Sequence, residues 1–260
     1  LALYLSAVQP EIHRAGKMIV SLDSVYCSHL YYRPAVRPDD SILGVEIVAN
    51  FVGADAPVRI PTELLIPHLA PEQHLELFRE KLTQIEEHQH FFITRYLVVW
   101  VHINETIVDA LINNQDLYIR LKALPFIELM ISESFPDLNS GKTNLRLAWL
   151  AERFPLGLAD FGAGNATTKS IFDGLFRHVI MDRFFVQKQL PGRTFSPFML
   201  AILGQVSPFC QALLIAGIDT ASARRKVQGL GFAAMQGKLW PLVPPEELAS
   251  LFPPHEGLVH

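Results

Sequence analysis

The chain has 260 residues, 50% of them hydrophobic, and 22 Lys and Arg against 26 Asp and Glu give it a net charge of −4. That is enough for one large core, such as a single α/β barrel, and the lack of a basic tract removes electrostatic support for direct nucleic-acid binding. Membrane insertion and classical secretion are not expected, because no apolar run nears the ~18 residues of a span and no basic-then-apolar leader is read, while two cysteines, Cys27 and Cys210, are too few for a disulfide framework and read as reduced, buried thiols of a cytoplasmic protein.

The first methionine is Met18, and domain-like patterning starts just after it at Ile19-Val20-Ser21-Leu22. Residues 1–17 are expected to be an upstream extension, with a short accessory helix as the alternative, and residues 18–260 to form a single domain. Residues 30–36, with Pro34 near their end, read as a strand. A polar turn at 37–41 leads to a second strand at 43–51, completing a hairpin. Glu46 stands inside that apolar second strand, where a charge needs a partner, a solvent-lined barrel mouth or a face toward water. Residues 71–88 read as a helix, since Leu75, Phe78, Leu82 and Ile85 recur at helical spacing. His88 and His90 close it, but nothing nearby adds ligands to this His-x-His, so they read as surface or cap residues.

Residues 96–103, YLVVWVHI, form a strongly apolar strand, and a helix begins at 105–111. Residues 125–131, PFIELMI, are another strand. Ser140-Gly141-Lys142-Thr143 mimics the end of a phosphate-binding loop, yet Pro136 stands where such a loop has glycine, so 139–143 reads as a turn and helix cap. The stretch 158–186 organises the chain. An apolar run ends at Asp160, and a turn at 161–165 carries Gly162 and Gly164. A helix follows, with Thr167 or Thr168 as cap and Ile171, Leu175 and Phe176 on one face; a second apolar run, 178–181, then ends at Asp182. This is a strand, turn, helix, strand unit long enough for a parallel crossover, and in parallel α/β folds the C-terminal strand ends carry the sites. The tail at 244–252 reads as a final helix.

The organising stretch resembles the D-D-F-G-x-G and K-I-D segment of EAL domains, the phosphodiesterases that open cyclic di-GMP. Other words follow in that family's order. Glu46-Ile47-Val48-Ala49-Asn50-Phe51 stands at the E-A-L-L-R-W signature, and residues 58–63 resemble the element before the first barrel helix. Residues 130–134 stand at E-I-T-E-S, 213–220 at A-E-G-V-E-T, and 235–241 at the closing Q-G-Y. The resemblance covers residues 24–252. It implies a TIM-like (β/α)8 barrel of the EAL type with one antiparallel strand. It also implies that Glu46, Glu133, Asp160, Asp182 and Gln236 are vestiges of the family's site.

The same resemblance marks what is missing. His102, Met130, Ala159, Ile180 and Ala216 stand where the family has Asn, Glu, Asp, Lys and Glu, which serve as metal ligands, water-positioning lysine and proposed general base. A thioether does not bind hard divalent cations, and hydrolysis needs an activated water. The resemblance therefore implies the fold without catalytic residues, metal or cofactor. Asn50 replaces the Arg that contacts the ligand phosphate, and Arg33 replaces the Gln of Y-Q-P, so cyclic di-GMP is not expected to bind. His102, Met130, Ala159, Ile180 and Ala216 should gather with Glu46 and Gln236 at the C-terminal strand face.

Words that EAL chemistry does not require, at 90–93, 125–129, 161–165, 172–176, 216–220 and 236–241, are similar to a degenerate branch of the family in enteric bacteria that acts against the flagellar activator FlhDC. That branch implies a cytoplasmic regulator that binds the FlhD subunit, blocks FlhDC from DNA and represses motility genes, without contacting nucleic acid or membrane itself. The alternatives are a sensor that binds cyclic di-GMP without cleaving it, and a phosphodiesterase with a rearranged metal site using His102.

Overall fold

The computed structural model describes residues 17–21, 25–53, 59–60, 65–164 and 168–252. Residues 1–16 of the expected extension, most of the 58–63 element and Thr167 lie outside the described residues. Strand β1 (Ile19–Ser21) lies antiparallel to β2 (Val25–Val36), and β2 turns back into β3 (Ile42–Gly53). β2 and β3 pair from Tyr26↔Gly53 to Val36↔Ile42. In the turn, Asp40 takes the left-handed φ of 68° that aspartate tolerates, and Asp39 accepts from the N–H and hydroxyl of Ser41. β2 begins at Val25 rather than at residue 30. Among the added residues 25–29 only Ser28 is buried, a polar residue made burial-compatible by hydrogen bonds to Glu80 at 2.7 and 2.8 Å.

β4 (Arg59–Ile60) pairs antiparallel with the end of β3, and helices α1 (Pro71–Glu87) and α2 (Gln89–Thr94) follow. α1 buries Phe78, Leu82 and Ile85 as its spacing predicts, while Leu75 is only half-buried. His88 caps its end through Nδ1 against the Gln84 carbonyl, and His90 is exposed. β5 (Val98–Ile103) starts later than expected, because Tyr96 sits at φ 54°, 91% exposed, in the turn before it. α3 (Glu105–Asn113) is capped by Asn104, and α4 (Gln115–Lys122), which the sequence reading missed, is capped by Asn114.

After β6 (Ile127–Ser132) a short 3-10 segment crosses 138–143, and the cap of α5 (Leu145–Arg153) is Asn144, just beyond the expected turn. β7 (Leu156–Phe161) and α6 (Thr168–Phe172) come next. α6 is shorter than expected: Gly174 at φ 68° ends it, and Leu175 and Phe176 are buried from the turn instead. β8 (His178–Met181), α7 (Arg183–Gln189), α8 (Phe195–Val206), β9 (Ala212–Ile215), α9 (Ala221–Val227) and β10 (Ala234–Met235) complete the chain of elements. The tail forms the expected final helix, of the 3-10 kind, at Pro245–Leu251. Both cysteines are free and half-buried, more open than expected.

The ring runs β2-β10-β9-β8-β7-β6-β5-β3, and the β2–β3 hairpin closes it. β2 is antiparallel to both neighbours and the rest run parallel, so the expected barrel with one antiparallel strand is the one observed. Alternate residues of each strand point inward. One inner layer is Ala35, Trp100, Met130, Ala159, Ile180, Leu214 and Ala234, separate from the large apolar shell between barrel and helices. Trp100 dominates it. A Cβ on Gly44 would lie 3.0 Å from the indole, and one on Gly157 would lie 2.4 Å from the Met130 sulfur, so small residues on facing strands admit the large ones.

Candidate functional site

The inward alternation places a polar layer above the Trp100 layer, at the C-terminal strand ends. Glu46 of β3 lies opposite Arg33 of β2, register partners whose side chains meet at 3.2 Å. His102 Nε2 of β5 lies 2.9 Å from the other Glu46 oxygen. Gln236, just after β10, donates to Glu46 at 3.3 Å. Glu46 is buried, whereas Arg33 and His102 are each about one-third exposed (33% and 36%) and open to the mouth. Burial alone would raise the Glu46 carboxyl; the Arg33 guanidinium and the His102 ring outweigh it and hold it well below the usual carboxylate range. Lys81, buried on α1, is pushed down to about 8 by desolvation, opposed by the charges of Glu46 and Glu80.

The structure brings most of the singled-out residues together. Met130, Ala159 and Ile180 share the inner layer under the mouth, and Ala216 packs against it. Asp160, exposed at the end of β7 and held at φ 58°, is within electrostatic reach of His102, Glu46 and Asp182. Two retained acids have structural duties. Asp182 caps α7 by accepting from the Phe185 N–H at 2.7 Å, and Glu133 accepts from the Gly164 N–H at 3.2 Å, bracing the glycine turn after β7. Asn50 lies farther out on β3, paired with His29 of β2.

A divalent cation, which the resemblance implies, was tested against these groups. Magnesium and calcium favour six or more oxygen donors. Here the Glu46 oxygens already face Arg33, His102 and Gln236, and the neighbouring strand ends offer a thioether and a methyl group. Among the described residues no three His, Cys, Asp or Glu side chains cluster as an ion site. The residues do not fit the metal.

Sequence reasoning missed the other end of the barrel. Glu128 of β6 and His178 of β8 meet beneath Trp100: His178 Nδ1 lies 2.7 Å from one carboxylate oxygen, and the His178 N–H donates to the other at 3.2 Å. Both side chains are buried, and Trp100 stands edge-on to the imidazole at 5.5 Å. The signal was present in PFIELMI, where a glutamate interrupts an apolar strand just as Glu46 does. A separate groove between β2 and α1, bordered by His29, Tyr31, Arg79 and Glu80, contains none of the mouth residues.

No family model matches the chain. It is 47% identical over 234 residues, 90% of this chain and 99% of the other, to the anti-FlhC(2)FlhD(4) factor YdiV of Salmonella paratyphi B. The crystal structure of the EAL-like domain protein YdiV superposes with a TM-score of 0.79 at 40% identity, covering 89% of this chain and 99% of that one. The EAL enzyme Bd1971 superposes at 0.70 with 17% identity over 86% of this chain and 66% of its own, a likeness of fold alone. No helix among the described residues is long and apolar enough to cross a membrane.

Proposed function

The chain belongs to the YdiV family of EAL-like proteins, and on that premise we propose that it regulates the flagellar activator FlhC(2)FlhD(4) by binding it. It docks on the FlhD subunit in the cytoplasm, keeps the activator from its promoters and so represses motility genes. It contacts neither DNA nor membrane. The observation that carries this reading is identity of 47% along 99% of a factor named for that action. The barrel mouth supports the negative half of the proposal: His102, Met130, Ala159, Ile180 and Ala216 leave no base and no metal, and Glu46 is neutralised by Arg33 and His102. Hydrolysis of cyclic di-GMP is not part of the function, and the dinucleotide does not bind. A ligand that does not bind cannot shift the regulator's equilibrium with its partner.

The test mixes the purified chain with FlhC(2)FlhD(4) from the same host and follows the complex by size-exclusion chromatography, with promoter binding measured in parallel. A complex at micromolar concentrations, with loss of promoter binding and no response to cyclic di-GMP, is expected. A complex that forms only with the dinucleotide present would move the assignment to a sensor.

A further inference from the structure

α8 carries no charge: its twelve residues, FSPFMLAILGQV, are apolar apart from Ser196 and Gln205. A helix so apolar ordinarily buries most of its surface. Here only one stripe is covered, by Phe195, Met199, Leu203 and Val206 turned into the shell. The outer side is open: Pro197, Ala201 and Gly204 lie exposed along it, and Phe198, 42% exposed, and Leu200, 50% exposed, stand at its two edges. Exposed aromatics continue beyond α8. Phe185 of α7 meets Phe198 at 5.9 Å, next to Phe184, which is 64% exposed. Just after α8, Phe209 stacks on Phe172 at 4.8 Å, both of them exposed. Contiguous exposed apolar surface with aromatic anchors is the pattern of a protein-binding face.

The charges along this part of the chain are mostly basic, and Asp173, next to Phe172, is paired with Lys169 at 2.9 Å. From 177 to 218 the chain carries Arg177, Arg183, Lys188 and Arg193 against Asp182 alone, a local +3 in a chain of −4. Asp182 is occupied as the cap of α7. Arg183 lies over the ring of the exposed Phe184 at 4.5 Å, so a cation edges the apolar surface itself. A second copy of this chain meeting the same face across a two-fold axis would set Lys188 and Arg193 against another basic rim. A nucleic acid would leave the uncharged centre of α8 without a phosphate contact.

We propose that the outer face of α8, flanked by α7 and Phe209, is the docking surface for an acidic segment of the partner that carries an apolar face. The assignment rests on the reading that this partner is FlhC(2)FlhD(4), and it adds where the partner sits and by what chemistry it is held.

The experiment measures affinity of the full chain for FlhC(2)FlhD(4) at two salt concentrations, with variants whose thermal midpoints are recorded alongside. Phe198→Ser with Leu200→Ser is expected to weaken binding at least tenfold. Lys188→Glu with Arg193→Glu is expected to weaken it several-fold at low salt and less at high salt, through loss of electrostatic steering. Ile119→Ser, an exposed position on α4 between β5 and β6, is the control and binds as wild type does. If wild type binds and both face variants bind equally well, the surface is wrong while the partner stands. If wild type forms no complex, the partner reading fails and takes this assignment with it. Self-association or binding of a DNA or RNA oligonucleotide that is lost in the Phe198 and Leu200 variant overturns the proposal in favour of that occupant.

Discussion

The mouth and the floor of the barrel each set a glutamate against a histidine, yet the two environments differ. At the floor, Glu128 and His178 are sealed under Trp100, and the carboxylate is held by one residue's ring and backbone. At the mouth, Glu46 is buried, but its partners Arg33 and His102 reach solvent, and Gln236 shares the same oxygen as Arg33. A sealed pair has lost its hydration and depends on its geometry; an open pair can regain water when a partner goes. The mouth and the floor are alike in kind: each is a buried carboxylate held by protein groups, and at the mouth Arg33 and His102 stand where the resemblance implies a metal.

The largest expected effect breaks the floor. Glu128→Ala leaves the His178 N–H and imidazole without a partner in a closed space and opens a void beside Trp100. Loss of a buried partner of this type costs about 3–5 kcal/mol, read as a fall in the midpoint of urea unfolding at constant slope. The equivalent change at the mouth, Glu46→Ala, costs less, about 2 kcal/mol, because Arg33 and His102 are already one-third in water. Equal losses for the two variants would end the distinction between a sealed and an open pair.

The pH dependence sharpens the same contrast at smaller amplitude. The folded carboxyl of Glu46 lies below its unfolded value, about 4.3, so its stabilisation is complete above that value and is lost as pH falls through the folded one. The gap between wild type and Glu46→Ala therefore closes below about pH 4.3. Lys81 acts at the other end of the scale. Its folded value of about 8 lies below the unfolded one, so its burial penalty is relieved and stability rises with pH above 8. A gap that stays constant from pH 6 to 3 would show that the Arg33 and His102 charges do not hold Glu46.

The sequence made the barrel legible for a physical reason. Apolar runs such as 178–181 and the acid-ended turns between them specify strand ends, and β8 appears at those residues. Glu46 was legible as a charge needing partners, and those partners proved to be Arg33 and His102. Three-dimensional pairing was not legible. Nothing local marks His178 as the answer to Glu128, since the two are brought together across β6, β7 and β8. Nor does a serine-histidine pair in β2 look like strand interior until Glu80 arrives from α1 to satisfy Ser28. One helix cap fell a residue beyond the expected turn for the same reason: Asn144 is chosen by how α5 packs, and neighbouring polar residues compete for that role locally.

The smallest expected effect is no effect, and it tests whether the mouth is a damaged site or one rebuilt as packing. Ala216→Glu returns the general-base residue type at the end of β9, half-buried beside the inner layer. A base accelerates hydrolysis only when a water is held in line with the phosphate and its developing charge is stabilised. Met130 and Ala159 supply no oxygen for a cation that could do this, Ile180 supplies no ammonium to orient the water, and Glu46 remains committed to Arg33 and His102. Adding Arg33→Gln and His102→Asn frees Glu46 but restores neither missing acid. Incubation of both variants with cyclic di-GMP and Mg²⁺ or Mn²⁺ should therefore yield linear dinucleotide at the no-protein background. Metal-dependent product from the single variant would mean that Glu46 leaves Arg33 for a cation at little cost, and the likeness between mouth and floor would fail at its central point.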